Sequence, residues 1–423
     1  MNITLIKRIV AAALCAAALT LCACKSEGGD EVTTGSGTAD NGPGLAGIGV
    51  KTGAYGGLFD DILEIEITVG EAELSTVIDH ADAGVYVEAD VTADGQTIDG
   101  AGLKARGNTS YVAEAGNERY SFKLKFNKFT KGQKLNGLDE LNLNNMSYDP
   151  SYVREYLMYL LFAGKSAPLA TFAKLTVNGQ YYGLYLAVEG IDDSFLKRAF
   201  GDNDGSLYEA DKGSALVDGD TTTFSLENGE DGRMANITRL YEAISSGEGI
   251  EDILDVDSVL RYAAIVGIAC GQESYLGPKA ENYYLYETSE GVLSMIPWDL
   301  KMSFGTDRTL RKTEYQIEAE QIRTDVNAPY FGVEAADRPL VGKLLENSAY
   351  KAKYLEYVKQ YTTQLKEILG SFKDLKAAID SAVNSDPRRF YDEALYEAEF
   401  TDGENTLYGF IRQRCAFIDS QGE

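Results

Sequence analysis

Histidine is almost absent from this 423-residue chain, which contains only His80. No cysteine or acidic ligand motif surrounds His80, and we expect it to be structural or to lie at the surface. This scarcity argues against Ser-His-Asp and Cys-His catalysis, histidine-rich zinc sites and histidine phosphorelay. Any chemistry must therefore depend on carboxylates, lysines, amides and a bound metal ion.

Positive charge is also scarce. The 39 lysines and arginines are outnumbered by 66 acidic residues, which gives a formal net charge of −27, and no basic cluster interrupts the acidic surplus. The sequence therefore argues against a nucleic-acid partner and restricts any contact with phosphate to local side chains. Hydrophobic residues make up 44% of the chain, so a substantial core is expected.

Cysteine occurs at five positions, three of them within the first 24 residues. Residues 1–24 are a basic start and an apolar run that ends in a lipobox-like motif, which predicts an export signal and lipidation of Cys24. An ordinary secretory peptide cut nearby is the alternative. Residues 25–57 are rich in glycine, serine and acidic residues, which predicts a disordered tether. We expect Cys270 and Cys415 to be buried free thiols, with a disulfide as the alternative.

A hairpin is predicted near the middle of the chain. Residues 283–286 and 292–296 are typical of two short strands, and residues 287–291 between them are turn-forming. The start of the first strand and the end of the second lie at the same end of such a hairpin. Asn282 and Asp299 flank that end. An amide oxygen and a carboxylate side by side predict a site for a hard cation such as Mg²⁺.

Basic side chains mark two further predicted strands. Residues 120–126 alternate strictly, which places Lys123 and Lys125 on one face. Either lysine could be solvated or could contact a ligand phosphate, and we favour Lys123. Residues 102–110 predict a strand that ends in a donor-rich loop, where Arg106 could approach a phosphate. An ordinary Gly-Asn turn is the alternative for this loop.

Other segments are predicted from composition and periodicity. A helix is expected at residues 151–164, with Glu155 in its first turn. Residues 136–145, rich in asparagine and leucine, predict a turn, and the acidic, glycine-rich residues 201–233 predict a solvated loop. Helical periodicity after Pro339 predicts a C-terminal helical layer.

The order of these pieces resembles the CotH family, the spore-coat protein H-like atypical secreted protein kinases. The resemblance extends from about residue 58 to residue 370, and its motifs are short but jointly specific. They are residues 102–110, 121–126, 153–155, 178–179, 182–185, 188–189, 282–286 and 297–299.

The resemblance implies an α+β, distant protein-kinase-like fold with two lobes and a C-terminal helical layer. The N-terminal β-rich lobe would comprise residues 58–190, and the C-terminal lobe residues 191–423. ATP and Mg²⁺ (or Mn²⁺) would lie between them, and the γ-phosphoryl group would pass to Ser or Thr of secreted or surface proteins. With lipidated Cys24, the protein would be a monomeric bacterial lipoprotein at the extracytoplasmic face of the cell membrane.

The resemblance also implies individual roles. Catalysis in kinases consists mainly of positioning and charge neutralisation. Lys123 would contact the phosphates, and Glu155 would hold that lysine. Asn282 and Asp299 would bind the metals, and Glu273 would be the catalytic base. The phosphate-facing loop would contain Arg106, Asn108 and Ser110, and the hinge near adenine would contain Val188 and Glu189.

Two departures from the family pattern affect activity. Glu273 stands where an aspartate is typical, and a displacement of about 1 Å can cost about a hundredfold in rate. Lys301 stands where relatives often carry an acid or amide, and it could weaken metal binding or replace the charge of one ion. The alternative to an active kinase is a catalytically weak or inactive CotH-like pseudokinase that acts as a cell-surface binding or assembly module.

Overall fold

Seven strands close into a barrel in the computed structural model, which describes residues 45, 49–107, 117–164, 166–306 and 319–421. The strands are β1 (Leu63–Thr68), β2 (Val87–Ala93), β3 (Gln96–Arg106), β4 (Ser121–Lys125), β5 (Glu140–Asn144), β6 (Ala170–Val177) and β7 (Gln180–Glu189). Their order is β1-β2-β3-β4-β5-β7-β6, and parallel pairing of β6 with β1 closes the barrel. The predictions for this region did not include a barrel.

Strand β5 corrects the predicted turn at residues 136–145. Leu141 and Leu143 are fully buried inside the barrel, whereas Asn142 and Asn144 face the other way. Asparagine is depleted in strands because its side chain competes for backbone hydrogen bonds. Here pairing with β4 on one side and β7 on the other overrides that preference.

A second sheet has four strands in the order β11-β10-β8-β9. The predicted hairpin is confirmed, since β10 (Tyr283–Glu287) pairs antiparallel with β11 (Leu293–Pro297). The predicted solvated loop at residues 201–233 is wrong in part, because β8 (Leu207–Ala210) and β9 (Phe224–Asn228) extend this sheet from β10.

Ten α-helices are described, and two of them are buried on nearly all sides. They are α1 (Glu71–Asp79), α2 (Arg154–Phe162), α3 (Asp193–Phe200), α4 (Ala235–Ser246), α5 (Val256–Ala269), α6 (Pro339–Glu346), α7 (Ser348–Gly370), α8 (Phe372–Asn384), α9 (Glu393–Glu399) and α10 (Leu407–Gln421). All nine residues of α2 are buried, and α5 is buried except at Asp257 and Arg261. Helices buried all round are typical of a core. The mixed α and β architecture and the predicted helices after Pro339 are confirmed.

Strand β7 is a wall shared by two hydrophobic cores. Tyr185 and Ala187 point into the barrel core, whereas Leu184, Leu186 and Val188 belong to the core built around α2, α5 and the second sheet. Alternation along one strand thus gives apolar side chains to both cores. Both cores lie in one compact unit, Gly42–Glu423.

A buried ion pair also joins the barrel to the C-terminal helices. Arg119, just before β4, pairs with Asp386, just after α8, and both side chains have zero exposure. Arg119 donates to the carbonyl oxygens of Asn145 (3.0 Å) and Leu184, and Asp386 accepts from the Leu184 amide (3.1 Å). Such a network is stabilising only while all its members remain paired.

Among the described residues, no helix is both long and apolar enough to cross a membrane.

Cys270 and Cys415 are buried free thiols, as predicted. Burial raises the pKa of each to about 11, which suppresses thiolate chemistry. Cys24 lies outside the described residues.

Candidate functional site

The mouth of the β10–β11 hairpin brings the two predicted metal ligands together. The Asn282 side-chain amide donates to the carbonyl oxygens of Glu273 (3.0 Å) and Asp299 (3.4 Å). Both Asn282 and Asp299 have left-handed backbone conformations, with φ of 62° and 45°. Asparagine and aspartate tolerate this conformation better than most residues, and such outliers concentrate at functional sites.

Asp299 carries an internal counter-ion. The Lys301 ammonium lies 2.6 Å from Oδ1 and 2.7 Å from Oδ2 of Asp299. Burial works against ionisation, but Lys301 and then Arg106 hold the pKa of the Asp299 carboxyl below its ordinary value. Asp299 is therefore a partly buried carboxylate, with 20% of its side chain exposed, that stays ionised at neutral pH.

Glu155 reaches the same region from α2. Its carboxylate accepts two hydrogen bonds from the Asn144 side-chain nitrogen, at 2.9 and 3.0 Å, and the Asn144 side-chain oxygen accepts from Arg106 at 2.7 Å. Burial and then the charge of Asp299 raise the pKa of Glu155 to about 7. Glu155, Asp299 and Lys301, with Asn144 and Arg106, form one group that we call the carboxylate cluster.

Asn144 was missed by the sequence reading. It connects Arg106 to Glu155, and the Arg106 guanidinium also lies over the Trp298 ring, 5.3 Å from its centroid. The signal that could have found it is position, because Asn144 ends a strand directly before α2. Treating residues 136–145 as a turn hid that relation.

The structure replaces the predicted ion pair between Lys123 and Glu155. Lys123 pairs with Glu140 at 2.7 Å, while the Glu155 carboxylate is held by Asn144. The β4–β5 register sets Lys123 opposite Asn142, so Glu140 is a diagonal neighbour on the same face. The proximity of Glu140 within the sheet decides the pairing.

A cleft of about 380 Å³ lies between the barrel and the second sheet. Its barrel wall carries the three predicted phosphate-binding cations Arg106, Lys123 and Lys125, and Trp298 and Glu209 lie on the facing wall. The cleft thus collects three side chains that the sequence placed on two different strands. Asn108 and Ser110, also predicted here, lie outside the described residues.

The predicted hinge residues lie elsewhere. Neither Val188 nor Glu189 lines the cleft, and both side chains have zero exposure. The Glu189 carboxylate accepts from the Tyr55 hydroxyl (2.6 Å), Arg198 (2.7 and 2.6 Å) and the Leu169 amide (2.8 Å). Strand pairing and an internal ion pair thus engage these groups, and their role in cofactor binding stays a prediction.

Glu273, the predicted base, lies beside Asn282 in the loop before β10. Its carboxylate accepts from the Lys279 ammonium at 2.9 Å, and Lys279 also pairs with Glu281 at 3.1 Å. The Glu273 side chain is one methylene longer than the aspartate typical of the family at this position. Its carboxylate is held in place by the ion pair with Lys279.

A divalent ion fits the oxygen donors at the hairpin mouth. Within the described part of the chain, no group of three or more His, Cys, Asp or Glu side chains is arranged to hold a metal. Mg²⁺ nevertheless binds through one or two protein oxygens when substrate phosphates and water complete its shell. Asp299 offers an ionised carboxylate, and Asn282, whose side-chain nitrogen donates to the Asp299 backbone carbonyl, offers an amide oxygen, so the chemistry of this donor set suits such an ion.

Asp192 caps α3 at the edge of the cleft. Its Oδ1 accepts from the amides of Ser194 (3.0 Å) and Phe195 (3.4 Å). Burial and then the charge of Glu140 raise the pKa of Asp192 to about 7. The folded protein therefore holds this proton more tightly than the unfolded chain does.

Asp192→Asn should change the pH dependence of stability. Because the folded pKa of Asp192 is raised, the contribution of this group to stability falls as pH rises from about 4 to about 7, whereas asparagine caps equally well without titrating. Relative to wild type, the variant should gain on the order of 2 kcal/mol between pH 4.5 and pH 8 in urea unfolding. Asp193→Asn, at the exposed neighbour, is the control. Parallel profiles for Asp192→Asn and wild type would contradict this assignment.

The chain is an α+β protein in which three cations on the barrel wall face the second sheet across a cleft, with the ionised Asp299 carboxylate beside the β10–β11 hairpin. The chain belongs to the CotH kinase protein family, whose profile matches residues 103–418. It is also similar to "Inner spore coat protein H" of Bacillus subtilis (strain 168), with 26% identity over 253 residues. That alignment covers 53% of this chain and 63% of the relative, so the chain spans less than two thirds of the relative's length.

Proposed function

We propose that this chain is an ATP- and Mg²⁺- or Mn²⁺-dependent protein kinase of the CotH type. It would transfer the γ-phosphoryl group to Ser or Thr of secreted or surface proteins, within a distant kinase-like two-lobed arrangement. The observation that carries the proposal is the cleft itself. It places Arg106, Lys123 and Lys125 on one wall, and Arg106 connects that wall to the carboxylate cluster.

The residues divide the work of phosphoryl transfer. Lys125, Lys123 and Arg106 would bind and orient the phosphates, which is the main contribution of a kinase to catalysis. Asn282 and Asp299 would hold the ion, which supplies charge neutralisation. Glu273 would accept the proton of the attacking hydroxyl.

The acidity of the cleft supports a divalent ion as part of the proposed activity. Besides its three cations, the cleft is lined by carboxylates that include Glu140, Asp192, Glu209 and Glu227. These carboxylates would repel free ATP, whereas a metal–nucleotide complex carries less negative charge and would be repelled less. The nucleotide is therefore expected to bind as its metal complex.

Labelled ATP tests the proposed activity directly. The purified chain is incubated with γ-labelled ATP, Mg²⁺ or Mn²⁺ and a generic protein acceptor. We expect incorporation into Ser or Thr that disappears when the metal is chelated. Absence of incorporation with either metal would overturn the kinase proposal.

A non-catalytic module is the second candidate. The contacts of Lys301 with Asp299 and of Lys279 with Glu273 engage the proposed metal ligand and the proposed base. Both favour a weak or inactive CotH-like protein that binds nucleotide and acts in surface binding or assembly. Binding of ATP without incorporation would support this alternative over the kinase.

The two cleft lysines should differ in their importance. No described residue forms an ion pair with Lys125, whereas Lys123 must leave Glu140 to reach a phosphate. We therefore expect Lys125→Met to weaken ATP–Mg²⁺ binding by about tenfold, since charge-assisted hydrogen bonds contribute ~1.5–3 kcal/mol, and Lys123→Met to weaken it less. Calorimetric titration measures both, with the exposed Lys131→Met as control. A larger effect at Lys123 would instead support the preference drawn from the sequence.

We also propose an envelope location. Lipidated Cys24 would tether the protein to the extracytoplasmic face of the bacterial cell membrane, where its protein substrates would be secreted or surface proteins. The relative from Bacillus subtilis is named for the spore coat, which supports a surface role for the family. We expect a monomer, because no part of the proposed mechanism needs a second copy.

A further inference from the structure

Lys301 is held against Asp299 by the loop that carries both residues. Leu300, Met302 and Phe304 are buried, and the Phe304 amide donates to the Ala269 carbonyl at 2.6 Å. Alternate side chains of this loop are thus fixed in the core. The Lys301 backbone has little freedom to withdraw, so the ammonium stays within reach of the Asp299 carboxylate.

The contact uses both oxygens of the carboxylate. The Lys301 ammonium lies 2.6 and 2.7 Å from them, which are short distances for a charge-assisted hydrogen bond. The ammonium also feels the negative charges of Glu155 and Glu273. It is therefore, with Arg106, one of two positive charges in the carboxylate cluster, at the place where a metal bound to Asp299 would compete for the same charge.

A metal and this ammonium cannot bind Asp299 independently. A carboxylate retains lone pairs after it accepts two hydrogen bonds, so geometry alone does not exclude an ion. The two cations would, however, repel each other across a few ångströms in a site only partly open to solvent, where charge interactions are stronger than in bulk water. Phosphate groups from a nucleotide would offset that repulsion by adding negative charge between them.

We infer that Lys301 is a built-in counter-ion that lowers the affinity of Asp299 for a free divalent ion, so that metal enters the site together with nucleotide. This inference rests on the proposed role of Asp299 as metal ligand. In this role Lys301 controls whether a metal occupies the site. Metal binding is thereby coupled to nucleotide binding without a conformational change in the barrel.

Mn²⁺ binding to the full chain tests this inference without measuring catalysis. Free Mn²⁺ is followed by electron paramagnetic resonance in the absence of nucleotide. Lys301→Met keeps most of the aliphatic stem but removes the charge, and it should bind Mn²⁺ at least tenfold more tightly than wild type. Lys301→Met combined with Asp299→Asn should lose that gain. Equal affinities of wild type and Lys301→Met, whether both bind or neither does, would overturn the inference.

Two further variants guard against indirect effects. Lys301→Arg retains the charge and should retain the weak binding of wild type. Lys279→Met removes a nearby ammonium that pairs with Glu273 and Glu281, and should change Mn²⁺ affinity less than threefold. If Lys301→Met does not fold, Lys301→Gln gives the same comparison. A gain in Mn²⁺ affinity without phosphoryl incorporation would uphold this inference while the kinase proposal fails.

Discussion

Asp299→Asn should reduce phosphoryl transfer by about a hundredfold or more. The substitution preserves the shape of the side chain but removes the ionised oxygen donor proposed to hold the metal. A loss of ~3 kcal/mol of transition-state stabilisation, modest for a metal ligand, corresponds to a factor of about a hundred. Incorporation from labelled ATP at saturating Mg²⁺ measures the effect.

Asp299→Asn also leaves Lys301 without its counter-charge, so folding must be checked separately. The double variant Asp299→Asn/Lys301→Met removes both charges of the pair. It should recover wild-type stability and remain inactive. Asp374→Asn changes an exposed carboxylate in the first turn of α8 and should leave activity unchanged. Wild-type activity in Asp299→Asn would remove this residue from the mechanism.

Arg119→Ala should destabilise the protein by ~3–5 kcal/mol, because it leaves Asp386 charged and buried without its partner. The fully buried guanidinium also donates to the carbonyl oxygens of Asn145 and Leu184, and both acceptors would lose that hydrogen bond. Urea unfolding, followed by circular dichroism, measures the change.

An exposed ion pair provides the matched comparison. Arg412 and Asp402 interact at 2.9 Å, but both side chains are about half exposed. Such pairs contribute ~0–1 kcal/mol, so Arg412→Ala should have a small effect. If the two arginine variants lose similar stability, burial does not control the energetics of these pairs.

Local patterns explain why part of the site could be predicted from sequence. The β10–β11 hairpin has two short, largely apolar strands around a turn-forming run, and hairpin geometry then brings Asn282 and Asp299 together. The two lysines of β4 follow from strict alternation, and Arg106 follows from the donor-rich loop predicted at the end of its strand. These predictions needed only neighbouring residues.

Contacts between distant segments explain what could not be predicted. Barrel closure pairs Leu63 with Ala173, far apart in the sequence. Lys123 pairs with Glu140 rather than Glu155 because β5 places Glu140 beside it in the sheet. The asparagine-rich sequence of β5 predicted a turn, so this strand could not be recognised from the sequence. The contact of Asn144 with Glu155 likewise requires knowing how α2 packs beneath the barrel.

The shared wall formed by β7 has a consequence for how the molecule responds to heat and to its ligand. If β7 unfolds, Leu184 and Leu186 are lost from one core and Tyr185 and Ala187 are lost from the other at the same time. The two halves should therefore melt in one cooperative transition. The same coupling makes a large rotation of one half relative to the other energetically unfavourable. A nucleotide would therefore bind in a preformed cleft.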